Sequence, residues 1–417
     1  MKIDVRSEIG ELEGVILHRP GPEVENMTPK NAERSLYSDI LNLSVAEKEY
    51  RQMEALLNTV ARTYQVCDLL ESALSSAEVR NDLVHRICTT EGQPDLCDDL
   101  MALDEKQLAR QLIEGVVLKR DNLTRFLSEE RFSLSPLHNF FCARDASMAL
   151  IDEILIARMA KPIRTRESVI METIFNHGPE LTAASVTSVG REPADPAVSI
   201  EGGDMLVARD DILVVGNGSR TSSYGIDFII ERIKARKNRL QHILIQELPA
   251  EPESFIHLDM VFTVLDRDSC MVFEPLMLKP TRFHTIHMEV ENGQVTSIRE
   301  ENSLIEALSN LGMELKPICC GGKKDLWEQE REQWHSGANF LSLAPGKVLG
   351  YARNVHTMEE MNANGFEIIP ADEIISGRRS LADAKRCVIT LEGSELPRGG
   401  GGARCMTMPI RRKRVDW

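Results

Sequence analysis

The feature that most constrains this chain is a repeated change of period. Short apolar runs rich in Val and Ile recur along it and stop at turn residues. Examples are Val15-Ile16-Leu17 before His18-Arg19-Pro20, Ile212-Leu213-Val214-Val215 before Gly216-Asn217-Gly218, and Val348-Leu349-Gly350-Tyr351. Runs this short and β-branched, bounded by Gly, Asn or Pro, read as buried strands. Between them the apolar spacing turns helical, as at Ile226, Ile229, Ile230 and Ile233, which fall on one face of a helix. Strands alternating with helices predict an α/β fold. Three strand segments ending at Arg19, Arg220 and Arg353 hint at a repeated unit without fixing its number.

One stretch departs from this plan. From 72 to 131 the strand-like runs nearly vanish, while Leu108, Leu112 and Val116 keep helical spacing. Ser75 with Glu78, and Asp104 with Gln107, each set a short acceptor three residues before Glu or Gln, the signature of a capped helix start. The reading is a helical insertion over 72–131 in an α/β body made of 1–71 and 132–417. The chain has 417 residues, 42% of them hydrophobic, enough for a large core, and length alone allows about three domains.

Charge and cysteine usage exclude several classes. A net charge of -16 opposes a phosphate-tracking surface, which needs uncompensated Lys and Arg, so no nucleic-acid partner is expected. The basic run Arg411-Arg412-Lys413-Arg414 is read as a solvated tail. The amino terminus has no apolar stretch long enough for a signal peptide or a membrane helix, which gives a cytoplasmic protein with no membrane partner. Nine cysteines with no CxxC pair, two of them adjacent at Cys319-Cys320, suggest neither a disulfide framework nor a zinc site. At least one is then a candidate for chemistry.

The strongest such candidate is Cys405, which follows Gly399-Gly400-Gly401-Gly402-Ala403-Arg404. Glycines let backbone approach a ligand, and a neighbouring guanidinium would favour thiolate over thiol. A flexible loop ending in a structural cysteine fits the same letters. Glu201-Gly202-Gly203-Asp204 precedes a strand, and in His257-Leu258-Asp259 an extended backbone would put the His and the Asp on one face. Taken alone, that pair fits ordinary polar surface. Asn139-Phe140-Phe141-Cys142-Ala143-Arg144-Asp145 sets polar groups in an aromatic stretch, where a buried Arg144–Asp145 pair is the alternative reading.

In order, these segments resemble the arginine deiminase family of the guanidine-modifying enzymes. The resemblance runs nearly end to end, through Ser7-Glu8-Ile9-Gly10, Leu17-His18-Arg19-Pro20-Gly21, Leu36-Tyr37-Ser38-Asp39, Glu330-Arg331-Glu332-Gln333-Trp334 and Gly350-Tyr351-Ala352-Arg353-Asn354. It implies a five-bladed, pseudo-symmetric α/β propeller of ββαβ units around a central site, carrying the helical insertion. It also implies hydrolysis of free L-arginine to citrulline and ammonia through a Cys-linked S-alkylthiouronium. By the same resemblance, Cys405 matches the nucleophile, His257 the general acid and base, and Glu201 the carboxylate that orients and charges the His. Asp145 and Asp259 match the pair that grips the guanidinium. Asn139, Arg164, Arg220, Leu36 and Asp204 match substrate-binding positions, with both arginines aimed at the α-carboxylate.

Carboxylates suit a planar cation with five N–H donors. A cationic substrate beside Cys405 would itself assist thiolate formation. No metal or organic cofactor is called for, and a homo-oligomer, dimer or higher, is expected. Two positions depart from the family. Cys142-Ala143 stand where Phe-Thr is common before Arg-Asp, and Gly400 stands where some members carry a longer side chain. Rival readings are an amidinotransferase, a deiminase of a modified arginine, or a non-catalytic arginine-binding protein.

Overall fold

The apolar runs named above are the middle strands of sheets in the computed structural model, which describes residues 1–28, 39–189, 197–236 and 240–417. Leu12–Leu17 lies between Arg62–Gln65, parallel to it, and Thr407–Arg412, antiparallel. Ile212–Asn217 lies between Met205–Arg209, antiparallel, and His242–Glu247, parallel. Lys347–Tyr351 lies between Leu341–Ala344, antiparallel, and Cys387–Leu391, parallel. The strands ahead of Arg19, Arg220 and Arg353 therefore occupy equivalent places.

Two further sheets repeat the plan. One runs Ser147–Leu150, Glu153–Ile156, Val186–Ser188, and the other Phe262–Asp266, Ser269–Val272, Lys316–Cys319. Parallel neighbours need a crossover, and each sheet has a helix in its own: Leu43–Val60, Thr165–His177, Ser223–Ala235, Leu304–Asn310 and Val355–Ala363. Ile226, Ile229, Ile230 and Ile233 are the buried face of the third of these. The architecture is a mixed α/β fold. The sheet around Ile212–Asn217 is enlarged by the hairpin Thr285–Glu291 and Gln294–Glu301.

Helices dominate the region after Arg62–Gln65: Val66–Ala73, Ala77–Thr90, Cys97–Met101, Glu105–Glu114 and Leu123–Leu127. Asp104 caps its helix as expected, accepting from the Gln107 N–H at 2.7 Å. Ser75 does not. Its hydroxyl donates to the Ser72 carbonyl, and Ser76 takes the cap, because the chain turns extended one residue later. Val116 also leaves the helical pattern, since Gly115 at φ 87° ends the helix and Val116–Val117 pairs with Phe132–Leu134. Leu83, Val84, Leu108 and Leu112 share one apolar cluster with Ile170 and Ile174 of the α/β body.

The basic run is not a solvated tail throughout. Arg411 and Arg412 finish the strand that pairs with Leu12–Leu17, and buried Arg412 donates to the carbonyls of Gly10 and Ser342, both at 2.7 Å. Among the described residues, no helix is long and apolar enough to cross a membrane.

Candidate functional site

In each of the five sheets, the strand that opens the antiparallel pair is preceded by a turn carrying a buried polar side chain. Asp145 precedes Ser147–Leu150, and Glu201 and Asp204 precede Met205–Arg209. Asp259 precedes Phe262–Asp266, Asn339 precedes Leu341–Ala344, and Cys405 precedes Thr407–Arg412. A cleft of about 670 Å³, its mouth included, is lined by Asp145, His257, Cys405, Asn139, Arg164 and Arg220. Trp334, Pro397, Gly399 and Gly400 complete part of its wall.

His257 is fully buried. Its Nε2–H donates to Glu201 at 3.0 Å, and its Nδ1 lies 3.7 Å from Asp145. The Glu-Gly-Gly-Asp segment makes room for it. A Cβ on Gly203 would fall 2.4 Å from the imidazole Nδ1, so only glycine lets this backbone meet the ring. Burial disfavours the charged ring, yet Asp145, Glu201 and Asp204 together outweigh it and raise the pKa to about 9. Glu201 moves the other way. Burial opposes its ionisation, but His257, Arg164 and Arg220 hold it well below the ordinary carboxylate range. The result is a His that carries its proton at neutral pH beside an ionised carboxylate.

The extended His257–Asp259 geometry does not occur. Leu258–Met260 is a 3₁₀ turn, pinned where Asp204 accepts the Leu258 N–H at 2.9 Å. Asp259 reaches Arg404 at 2.7 Å and lies 3.7 Å from the Cys405 sulfur. Asp204, like Glu201 and Asp259, is not among the residues that line the cleft; it accepts the Leu258 N–H next to His257, and burial raises its pKa to about 7. The Arg144–Asp145 pair is absent as well. Arg144 donates to the Arg404 carbonyl, and Asp145 takes Nη1 of Arg164 at 2.8 Å.

Arg404 does not serve the thiolate directly. Its guanidinium forks onto Glu8 at 2.9 and 3.0 Å and also binds Asp259 and the Met205 carbonyl, which exhausts its function in the core. Burial, followed by Asp259, Cys142 and Asp145, pushes the Cys405 thiol well above its ordinary value, while a backbone hydrogen bond from Gly402 pulls it down. A cation placed between the two aspartates would cancel the charges that hold the proton on sulfur.

Arg164 is largely engaged: Nε and Nη2 fork onto Glu167 at 3.0 and 2.8 Å, and Nη1 binds Asp145. Buried Arg220 keeps Nη1 without a hydrogen bond, as do Asp145 Oδ1 and His257 Nδ1. Three unsatisfied buried polar atoms around one cleft are the mark of a site built for a polar ligand. Leu36 lies outside the described residues. Cys142 lines the cleft where the family commonly has an aromatic ring, and Gly400 stands there in the left-handed region at φ 78°. Asp145, Glu201 and His257 have ligand atoms within 4.8 Å of one another, as do His242, His287 and Glu289 elsewhere. In the first group the Arg164 guanidinium already supplies the cation beside Asp145.

The family model of arginine deiminase matches residues 34–412. The chain belongs to the arginine deiminase family. Relatives carrying that name include one from Bacillus cereus (strain B4264), 33% identical over 434 aligned positions covering 99% of both chains. Another, from Listeria innocua serovar 6a, is 31% identical over 98% of both. Solved structures add the fold alone. An amidinotransferase of saxitoxin biosynthesis from Microseira wollei superposes at TM-score 0.54 and 12% identity, covering 99% of this chain and 98% of that one. The N-terminal domain of a cyanobacterial arginine dihydrolase gives 0.51 at 12% identity, covering 96% and 98%.

Sequence reasoning missed Asn339, which touches the sulfur within this arginine deiminase site. A lone Asn after Gly337-Ala338 carries no motif. Its signal lay in its place on the repeated unit, two residues before an opening strand, as with Asp145 and Cys405.

Proposed function

We propose that this chain hydrolyses free L-arginine to L-citrulline and ammonia, with Cys405 as nucleophile and His257 as general acid and then base. Family membership supports the reaction. The observation that carries the residue roles is the convergence of Cys405, His257 and Asp145 on one cleft that Arg220 also lines. Asp145 and Asp259 receive the guanidinium in its plane, which turns its carbon toward sulfur.

Thiolate attacks that carbon and forms the C–S bond. His257 passes its proton to the departing nitrogen, ammonia leaves, and an S-alkylthiouronium remains. Neutral His257 then takes a proton from water, whose oxygen attacks the same carbon, and collapse expels the thiolate and gives citrulline. Arg220, assisted by Arg164 and Asn139, receives the α-carboxylate.

The five ββαβ sheets are read as the blades of a pseudo-symmetric propeller, with 72–131 as a helical insertion domain packed on the catalytic body. A cytoplasmic homo-oligomer completes the proposal, its state to be read by light scattering. Purified protein incubated with L-arginine should release citrulline and ammonia in equal amounts. Release of ornithine with transfer of the amidino group to an added amine would instead support an amidinotransferase.

A further inference from the structure

The Cys405 sulfur sits among groups that oppose its ionisation. Burial opposes it first, Asp259, Cys142 and Asp145 add to that, and charged His257 in the same cleft works in the opposite sense. Arg404 and Arg164 are paired with carboxylates of their own. A donor aimed at the sulfur itself would favour the thiolate before the cationic substrate arrives.

Asn339 is that donor. It is buried, and its Oδ1 accepts the backbone N–H groups of Arg404 at 3.0 Å and Cys405 at 3.1 Å. Those two bonds fix the amide orientation, since a flipped amide would set N–H against N–H. Nδ2 must then face the other way, where the Asp259 carbonyl lies at 3.1 Å and the Cys405 sulfur at 3.2 Å. The adjacent loop is cut to fit. A Cβ on Gly402 would come within 2.6 Å of both Asn339 Cβ and Oδ1, so this glycine is what allows the amide to reach the sulfur. Asn339 also stands on the fifth sheet where the other four sheets supply the aspartates, Glu201 and Cys405.

We propose that Asn339 is a further catalytic residue, whose amide fixes the nucleophile's backbone with its oxygen and stabilises the Cys405 thiolate with its nitrogen. The inference rests on Cys405 being the nucleophile. A hydrogen bond to a charged group of ordinary strength corresponds to a shift of about one pH unit or more in the thiol's ionisation. As carbon bonds to sulfur the charge leaves, so the donor acts on formation and placement of the thiolate rather than on substrate affinity.

The test is the pH dependence of iodoacetamide labelling at the Cys405 peptide, followed by mass spectrometry in the substrate-free protein and in Asn339→Ala and Asn339→Asp. Asn339→Asp retains an acceptor for the two backbone N–H groups, removes the amide donor and adds a charge that itself raises the midpoint, so the midpoint in Asn339→Ala measures the donor while a native midpoint in Asn339→Asp still refutes it. The expected result is a labelling midpoint at least about one unit higher in each folded variant, with kcat for arginine lowered about tenfold or more and KM nearly unchanged. A native midpoint in Asn339→Asp, or a loss confined to KM, overturns the proposal. Cys405→Ala separates the two claims. Arginine turnover surviving in that variant overturns the nucleophile assignment, whereas the labelling midpoint reports on Asn339 either way.

Discussion

Replacing Asp259 by Asn should make Cys405 more reactive and the enzyme inactive. Asp259 carries its charge 3.7 Å from the sulfur. At an effective dielectric constant of about 20, two like charges at that distance repel by ~4 kcal/mol, or about three units of thiol ionisation. Arg404, 2.7 Å from the same carboxylate, already cancels much of that field, so about one unit is the expected net effect. Leaving Arg404 with Glu8 as its sole carboxylate partner shifts the thiol in the same direction. Iodoacetamide should therefore label Cys405 about tenfold faster at neutral pH in Asp259→Asn. Arginine turnover should nevertheless fall by a factor of 10² or more, because the guanidinium loses one of its two anionic partners in both ground and transition states. Labelling that is unchanged or slower in a folded Asp259→Asn protein refutes the electrostatic argument. Retained turnover refutes the gripping role.

Four further outcomes follow from the geometry. His257, with its pKa at about 9, should serve as general acid up to that pH, so kcat/KM should decline above it and His257→Ala should lose rate at every pH; a profile flat past pH 10 counts against the assignment. Because that pKa lies above the ordinary 6.5, the charged His also stabilises the fold fully below about pH 6.5, and this contribution fades as pH rises through 9, which urea unfolding of the native protein and His257→Ala can follow. Asp204 is the opposite case: burial holds its carboxyl up at about 7, so its ionisation costs stability increasingly between pH 3.8 and 7, and the stability of Asp204→Asn relative to the native protein should rise over that range in denaturant titrations. Agmatine, which lacks the carboxylate, should be poorer than arginine by about 10² in kcat/KM, and Arg220→Ala should narrow that ratio; equal rates for the two substrates in the native protein would remove the carboxylate clamp.

Much of this was legible in the letters because periodicity is a local signal. The strands ahead of Arg19, Arg220 and Arg353 were found by composition, and their equivalence in the sheets explains why they looked alike. What escaped depends on contacts distant in sequence. Arg412 is buried because the last strand returns to the first, which no property of a basic run encodes. Arg404 is adjacent to Cys405 in sequence, yet Glu8, 396 residues away, takes its guanidinium into the core. Asp204 stands in a recognisable Glu-Gly-Gly-Asp segment, but only the 3₁₀ turn at Leu258–Met260 turns it from a substrate contact into a brace for His257. Asn339 became visible only once five opening strands could be compared.

The central claim is a covalent bond between Cys405 and the guanidine carbon of arginine. Acid quenching during turnover, proteolysis and mass spectrometry test it most directly. The Cys405 peptide alone should gain the mass of arginine less ammonia, citrulline should appear as this species decays, and Cys405→Ala should yield neither. Turnover with the adduct on Cys142, or citrulline formed with no adduct and undiminished in Cys405→Ala, would contradict it.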